Sequence, residues 1–404
     1  MDYVYINTKR QSVFFVLKLL LMIVFLVSLR AWFTWGFTPA IVSFFTIIVF
    51  IVYYYLRPEV YEIKKKYFIV MLPFAFIELY VVNGLNMNAH LYSAITIVLI
   101  FLLLILKDDL KVSVLSYFTS VMGVIMWISI VGWIIMLLGV KLPYIVVDYN
   151  EGQYVYRNYF LFLYNMSRFE FIPRFSSVFL EPGHLGVILS FMLFINNFNF
   201  RKKTVIGIFV ANILTFSLAG YILMAYSFIM IIFFGSKKKM SNGIYFIGLF
   251  VFVYYVFVSL AQGVEFSDLI INRLVFDDGE VLGDNRYSFE MNRYYDSFLK
   301  TKYVLTGIGT NAYNMMDIGA NAGYKVFIVQ YGLIGGVSLF LFYIIQVFFN
   351  GSKLTWILLT IYFLAFLQRS YALWEVEVML FIVAFPFLLN NKYLSFKVHN
   401  KNTE

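Results

Sequence analysis

Long apolar runs separated by shorter polar segments recur along the chain from end to end. A helix needs about 20 residues to cross roughly 30 Å of hydrocarbon. Twelve runs approach or reach this length, at 12–29, 37–56, 67–84, 91–106, 113–140, 183–200, 204–218, 219–235, 243–261, 326–349, 354–367 and 371–390. The pattern predicts an all-α polytopic integral membrane protein, with about 12 transmembrane helices forming a single membrane domain over residues 1–404.

The runs at 204–218 and 219–235 are short, and they form either one crossing or two. One continuous crossing would place the basic triplets "RKK" (201–203) and "KKK" (237–239) on opposite sides of the membrane. Two short helices that meet at "SLAG" (217–220) keep both triplets on one side, so we favour two helices. Lys and Arg then concentrate in the inner segments, as the positive-inside rule requires. Both termini are therefore predicted to be cytoplasmic.

Two connections on the predicted outer face are much longer than the others, at 141–182 and 262–325. Loops of this length in a compact protein are usually functional or disordered. The stretch "YVYRNYFLFLYNMSRFEF" (154–171) is too aromatic for a disordered segment. Both loops are therefore predicted to be folded caps over a cavity on the outer face.

The composition narrows the chemistry that the chain can carry. Hydrophobic residues make up 62% of the chain and charged residues 13%, against about a quarter charged in soluble domains. The net charge of +9 is explained by inner-face Lys and Arg, so no nucleic-acid partner is predicted. The chain has no cysteine and only three histidines, which excludes thiolate sites and argues against zinc. We expect no metal and no cofactor.

The stretch "FSSVFLEPGHLGVILSF" (175–191) groups polar residues at the mouth of an apolar run. In one interpretation, Pro182 opens a helix and Glu181 is stabilised by the helix dipole, so the stretch is only a helix start at the interface. In the other, Glu181 and His184 share a helical face and Arg174 lies shortly upstream. An acid, an imidazole and a guanidinium would then act together as base and phosphate clamp. The residues alone leave both interpretations open.

The chain resembles the Wzy-type O-antigen and capsule polymerases in three motifs, in helix number and in its two enlarged outer loops. The motifs are Arg174 with Phe179-x-Glu181-Pro182-Gly183-His184-x-Gly186, "LTFSLAGY" (214–221), and "LTGIGTNAY" (305–313) followed by "VQYGLIGG" (329–336). The motifs stand in the family's order, and together with the helix number and the two loops the resemblance covers most of the chain. The spacing departs from the family's Arg-x10-Gly pattern, since eleven residues separate Arg174 from Gly186.

The resemblance implies a GT-C-like fold and a polysaccharide polymerase in the bacterial plasma membrane, with its active site on the outer side. Such an enzyme joins oligosaccharide repeat units carried on undecaprenyl diphosphate. The growing glycan is transferred as a block to the non-reducing end of a new lipid-linked unit. The implied partners are the lipid-linked oligosaccharide, the bilayer and a chain-length regulator.

The leaving diphosphate needs positive charge, which arginine supplies through two parallel charge-assisted bonds. Arg174 and Arg286, one from each long loop, are the predicted diphosphate-binding residues, and the resemblance favours both. Arg293 lies seven residues after Arg286, on the same face of a predicted helix, and competes with it.

The general base is predicted to be Glu181, because a carboxylate partly removed from water accepts a proton more readily. His184 is the second candidate. Three acids in the second loop stay open as alternatives: Asp284, Glu290 and Asp317.

Two other functions are weighed against polymerisation. The related O-antigen ligases carry a His-Asn pair before the helix that follows the second loop, whereas this chain has no histidine between 185 and 398. A flippase or other transporter needs ionisable groups deep in the membrane. Glu78 and Lys18 are the deep charges that the pattern predicts, with Glu375, Glu377 and Arg369 near the ends of the last two helices.

Overall fold

The computed structural model describes residues 2–82, 87–149, 154–166, 173–234, 276–277, 280–281, 289–316, 323–369 and 373–389. The described residues are mostly helical. Five helices precede the first long loop: α1 Asp2–Ser28, α2 Pro39–Leu56, α3 Lys65–Phe76, α4 Met87–Ile105 and α5 Asp108–Leu137. A π-helical segment, Ile77–Val82, continues α3.

Eight more helices follow among the described residues. They are α6 Pro182–Ile195, α7 Lys203–Leu214, α8 Leu218–Phe234, α9 Phe289–Phe298, α10 Thr310–Asn314, α11 Gly323–Asn350, α12 Lys353–Gln368 and α13 Glu375–Leu389. Eleven of the twelve predicted runs overlap one of these helices, so the hydropathy pattern located these helices. The run at 243–261 lies outside the described residues.

Four helical segments are long and apolar enough to cross a membrane: Gln11–Ser28, Pro39–Leu56, Asp108–Leu137 and Gly323–Phe349. The chain is thus a helical membrane protein. Other apolar helices are shorter. At 1.5 Å per residue, the 12 residues of α7 measure about 18 Å, well below the hydrocarbon thickness. The existence of twelve crossings therefore stays a prediction.

The short pair of runs forms two helices, as predicted. α7 ends at Leu214 and α8 begins at Leu218, with Phe216 in the left-handed region at φ 46°. The Tyr221 hydroxyl donates to the carbonyl of Ile213 across the turn. Both helices pack on α6, so α6 is held between them.

The paired helices give a test of topology. A reporter fused after Lys239 is expected to lie in the cytoplasm, because two crossings return the chain to the side of the "RKK" triplet. A reporter inserted near Asp278 is expected to lie outside. Fusions to alkaline phosphatase and to a cytoplasmic fluorescent protein measure the two sides. An external signal after Lys239 would contradict the return of the chain.

The first long loop contains an antiparallel sheet, which the all-α prediction did not include. β1 Ile145–Tyr149 pairs with β2 Tyr154–Asn158, and β2 pairs with β3 Leu163–Asn165. The alternation in "YVYRN" is typical of a half-buried strand. It buries Tyr156, whose hydroxyl donates to the carbonyl of Leu180 at 2.8 Å. The sheet is thereby tied to the residues just before α6.

The second long loop is joined to α11 by backbone contacts. The amides of Ile308 and Gly309 donate to the carbonyls of Val329 and Gln330 at 2.9 and 3.0 Å. Gly332 interrupts α11 with a φ of 68°. The motifs "LTGIGTNAY" and "VQYGLIGG" are therefore bonded to each other through their backbones. This contact between the second loop and α11 is called the junction below. A short pair, β4 Phe276–Asp277 and β5 Glu280–Val281, lies earlier in this loop.

Candidate functional site

The start of α6 brings Glu181 to an arginine from the far end of the chain. Glu181 occupies the N-cap position and Pro182 the first turn, but the Glu181 side chain makes no capping hydrogen bond. Instead its Oε2 accepts from Nη1 of Arg369 at 3.1 Å. The two side chains are 29% and 24% exposed. Glu181 therefore does more than begin a helix, and it is paired with a cation that also faces solvent.

Arg174 is held at the same helix start by the turn between α7 and α8. Its Nε donates to the carbonyl of Thr215 at 3.2 Å, and the amide of Phe175 donates to the carbonyl of Leu214 at 3.0 Å. The side chain is half-buried. The predicted motif arginine therefore lies beside the second predicted motif, "LTFSLAGY".

The glycines of the "PGHLG" motif allow the close approach of α6 to this turn. A Cβ on Gly183 would lie 2.8 Å from Nη2 of Arg369, and one on Gly186 would lie 3.0 Å from Cβ of Ser217. Ser217 Oγ accepts from the amide of Gly220 at 3.2 Å, which caps the first turn of α8. A side chain larger than hydrogen at Gly183 would push the Arg369 guanidinium from its place.

His184 lies under the helix start and is 5% exposed. Its ring meets the Trp374 ring edge-on, with 4.1 Å between centroids. Arg30 also contacts Trp374: its guanidinium carbon lies 5.2 Å from the indole centroid. Arg30 and Arg369 both act electrostatically on the imidazole. His184 is thus packed between aromatic and cationic groups, and Glu181 is the more accessible of the two proposed bases.

Arg293 lies on the exposed face of α9. The opposite face packs Met291 and Phe298 against Val329 of α11. Lys325 Nζ donates to Asn292 Oδ1 at 2.6 Å and lies over the ring of Tyr295. Burial raises the pKa of Tyr295 above its ordinary value.

Of the other predicted site residues of the second loop, the structure describes one. Glu290 is exposed on α9. Arg286, Asp284 and Asp317 lie outside the described residues.

A chain of contacts connects the second loop with the start of α6. Phe327, at the beginning of α11, packs on Phe366 of α12 with 5.2 Å between ring centroids. Arg369 follows Phe366 by less than one helical turn and pairs with Glu181. The start of α11, which directly follows the second long loop, is therefore connected through α12 to the start of α6.

Arg30, Arg369 and Trp374 belong to this site, although the sequence motifs did not select them. Glu181 and Arg369 are separated by 188 positions, so no local spacing relates them. The sequence does offer one signal: Arg30 and Arg369 both lie at the outer ends of predicted helices. Guanidinium groups at the same end of a bundle are candidates for one site.

Three carboxylates lie among the helices away from this site, and two of them, Glu78 and Glu377, are buried. Glu78 accepts from Ser93 Oγ at 2.9 Å. Glu375 Oε1 accepts from Thr96 Oγ1 at 3.3 Å and from Ser43 Oγ at 3.4 Å. Glu377 is 4% exposed. As the sequence pattern predicted, both Glu375 and Glu377 lie in the first turn of the last helix, α13; Glu377 is buried and Glu375 is partly exposed.

Within the described ranges, no group of three or more His, Asp or Glu side chains is arranged to hold a metal ion. The positive groups at the start of α6 are therefore the described candidates for stabilising an anion. Metal-independent chemistry stays a prediction that chelation can test.

Comparison of the chain with protein-family models, with curated proteins and with solved structures finds no match. The class that the fold defines is a helical membrane protein with four candidate spanning segments. The resemblance to the polymerases therefore stays a prediction from the sequence motifs.

Proposed function

We propose that this protein is a polysaccharide polymerase that joins undecaprenyl-diphosphate-linked oligosaccharide repeat units at the outer face of the plasma membrane. The growing glycan is transferred as a block to the non-reducing end of a new lipid-linked unit. One observation carries the proposal: Arg174, Glu181, His184 and Arg369 gather at one end of α6, where the first long loop ends. Folded loops around such a cluster favour chemistry at the membrane surface.

The reaction assigns a role to each group. A sugar hydroxyl of the acceptor attacks C1 of the donor glycan, and the bond from C1 to the phosphate oxygen breaks. Undecaprenyl diphosphate leaves with the bonding electrons, and Glu181 takes the proton of the hydroxyl. Arg174 and the second-loop arginines, Arg286 and Arg293, stabilise the charge that develops on the leaving diphosphate.

Polymerisation by the purified protein tests this function. In proteoliposomes supplied with a lipid-linked repeat unit, we expect a ladder of products on a carbohydrate gel. The ladder is expected to persist in excess EDTA, because guanidinium groups replace the metal as charge stabilisers. Loss of the ladder on chelation, with recovery on adding Mg²⁺ or Mn²⁺, would show that a metal takes this role.

A second candidate is a cation-coupled transporter of lipid-linked sugars, favoured by the carboxylates among the helices. Ionisable side chains inside membrane segments usually mark ion or proton pathways. Glu78 and Glu375, each bonded to helix hydroxyls, fit that description. The same proteoliposomes separate the two functions. A transporter would move the intact lipid-linked unit between leaflets in response to a pH gradient and would make no ladder.

A further inference from the structure

Glu181 and Arg369 bond to each other, whereas the proposed reaction needs each of them to be available to the substrate. A base must have a carboxylate that is available to a hydroxyl proton. An anion clamp must have a guanidinium that is available to phosphate oxygens. In the structure these two groups bond to each other at 3.1 Å, and both are partly exposed. Partly exposed ion pairs are weak enough to exchange partners.

Positive charge exceeds negative charge around this pair. Arg369 and Arg30 both act on His184, and Arg30 lies over the Trp374 ring that packs against it. Arg174 lies at the neighbouring turn. No salt bridge to Arg30 is formed by the residues that the structure describes. Among the residues that the structure describes here, a diphosphate would meet the guanidinium groups of Arg30, Arg174 and Arg369 and the carboxylate of Glu181.

We propose that Glu181 and Arg369 form a substrate-released latch, in which an incoming lipid diphosphate takes Arg369 from Glu181. This inference rests on the proposed function for its catalytic consequence, but the exchange of anions does not. A diphosphate carries more charge than a carboxylate and accepts two parallel bonds from a guanidinium, so it competes well for Arg369. Arg369 is then a substrate-binding residue and Glu181 becomes available as base.

The latch orders the reaction. Without a bound diphosphate, Glu181 is held by Arg369 and takes no proton from water or from a free sugar. With the diphosphate bound, Arg369 turns to the phosphate oxygens and Glu181 faces the acceptor hydroxyl. The hydroxyl proton moves to Glu181 as the hydroxyl oxygen bonds to C1 and undecaprenyl diphosphate departs. Glu181 re-forms its pair with Arg369 after it has lost that proton and the diphosphate has left.

Binding of a sugar-free probe tests the latch independently of polymerisation. The full chain in phosphatidylcholine nanodiscs is titrated calorimetrically with undecaprenyl diphosphate. Arg369→Ala is expected to raise the Kd about 10- to 100-fold, as expected for loss of a charge-assisted bond. Glu181→Gln is expected to lower the Kd, because the amide keeps the shape but no longer competes as an anion. In the double variant, the gain from Glu181→Gln is expected to disappear.

The controls separate a latch from a structural ion pair. Lys353→Ala removes a positive charge from the opposite end of α12 and is expected to leave the Kd unchanged. Thermal unfolding in the nanodisc identifies variants that fail to fold, and the near-isosteric Glu181→Gln keeps the test available in that case. A structural pair predicts that Glu181→Gln weakens binding or leaves it unchanged, and either result overturns the proposal. So does wild-type binding by a folded Arg369→Ala.

The outcomes also distinguish this inference from the proposed function. Tighter binding by Glu181→Gln without polymerisation by the wild type would support the anion exchange and contradict the polymerase. A polymerase whose Glu181→Gln variant binds the probe no more tightly would retain its function and lose the latch.

Discussion

Cells that carry Arg174→Ala are expected to make single repeat units in place of long chains, with the protein still in the membrane. Arg174 lies at the start of α6 beside Thr215, where its guanidinium can meet a diphosphate. Removing one donor aimed at developing charge costs about 10²- to 10³-fold in rate. Arg174→Lys keeps the charge but loses the planar fork, so it is expected to restore little activity. Glycan length on gels, with immunoblotting of membranes, measures the effect.

The control for the Arg174→Ala experiment must be a basic residue of the first loop that does not support the sheet. Arg157 lies in the same loop outside the three motifs, but it is unsuitable as a control because its guanidinium carbon lies 4.9 Å from the Tyr144 centroid and 6.0 Å from that of Tyr164. Truncating it would disturb the sheet itself. Lys141 is exposed in the same loop, and Lys141→Ala is expected to leave chain length unchanged. Wild-type chain length in both Arg174→Ala and Arg286→Ala would rule out the arginine clamp.

Gly332→Ala is expected to lower the membrane yield and the thermal stability of the protein sharply. Gly332 has a φ of 68°, and its Cβ position is occupied by the backbone of Leu305 and Gly307. With ψ at −179° as well, this backbone conformation is adopted almost only by glycine and costs a residue with a side chain about 1–3 kcal/mol. The clash with backbone adds to this cost, because the junction cannot shift without breaking the bond from the Ile334 amide to the Leu305 carbonyl.

Gly336→Ala is the matched control, since it changes the same residue type in the same helix. Apart from its own stretch of helix, no atom of the described residues lies within 4 Å of the Cβ position of Gly336, and alanine is favoured over glycine in a helix by about 1 kcal/mol. Its thermal unfolding midpoint in detergent is expected to equal or exceed that of the wild type. Equal stability of Gly332→Ala and Gly336→Ala would mean that the junction does not contribute to folding.

The sequence predicts the parts of this fold that depend on local pattern. Apolar runs located the helices because lipid and core packing both require continuous apolar surface. The break between α7 and α8 follows from the basic triplets and the turn around Phe216. Pro182 marked the start of α6 because proline fits the first helical turn.

The contacts that build the site depend on long-range packing, which local pattern does not encode. The position of Glu181 just before an apolar run made it a candidate site residue. No residue near it in the sequence indicates its partner, Arg369, which lies 188 positions away. Gly332 reads as an ordinary helix-packing glycine until its φ and the approach of Gly307 are known. The strands of the first loop were missed because their aromatic residues also suit a folded irregular cap.

The distance along the chain between Glu181 and Arg369 has a consequence for biosynthesis. Chains are made at about 5–20 residues per second, so α6 waits about 10–40 s before Arg369 is synthesised. The amide of Val376, which bonds to Ser28 Oγ at 3.1 Å, is made later still. During this interval Glu181 must remain near water or lipid headgroups, because its countercharge does not yet exist. A nascent chain that stalls after α11 therefore exposes an incomplete site, and the polar end of α6 becomes a feature by which membrane quality control can recognise it.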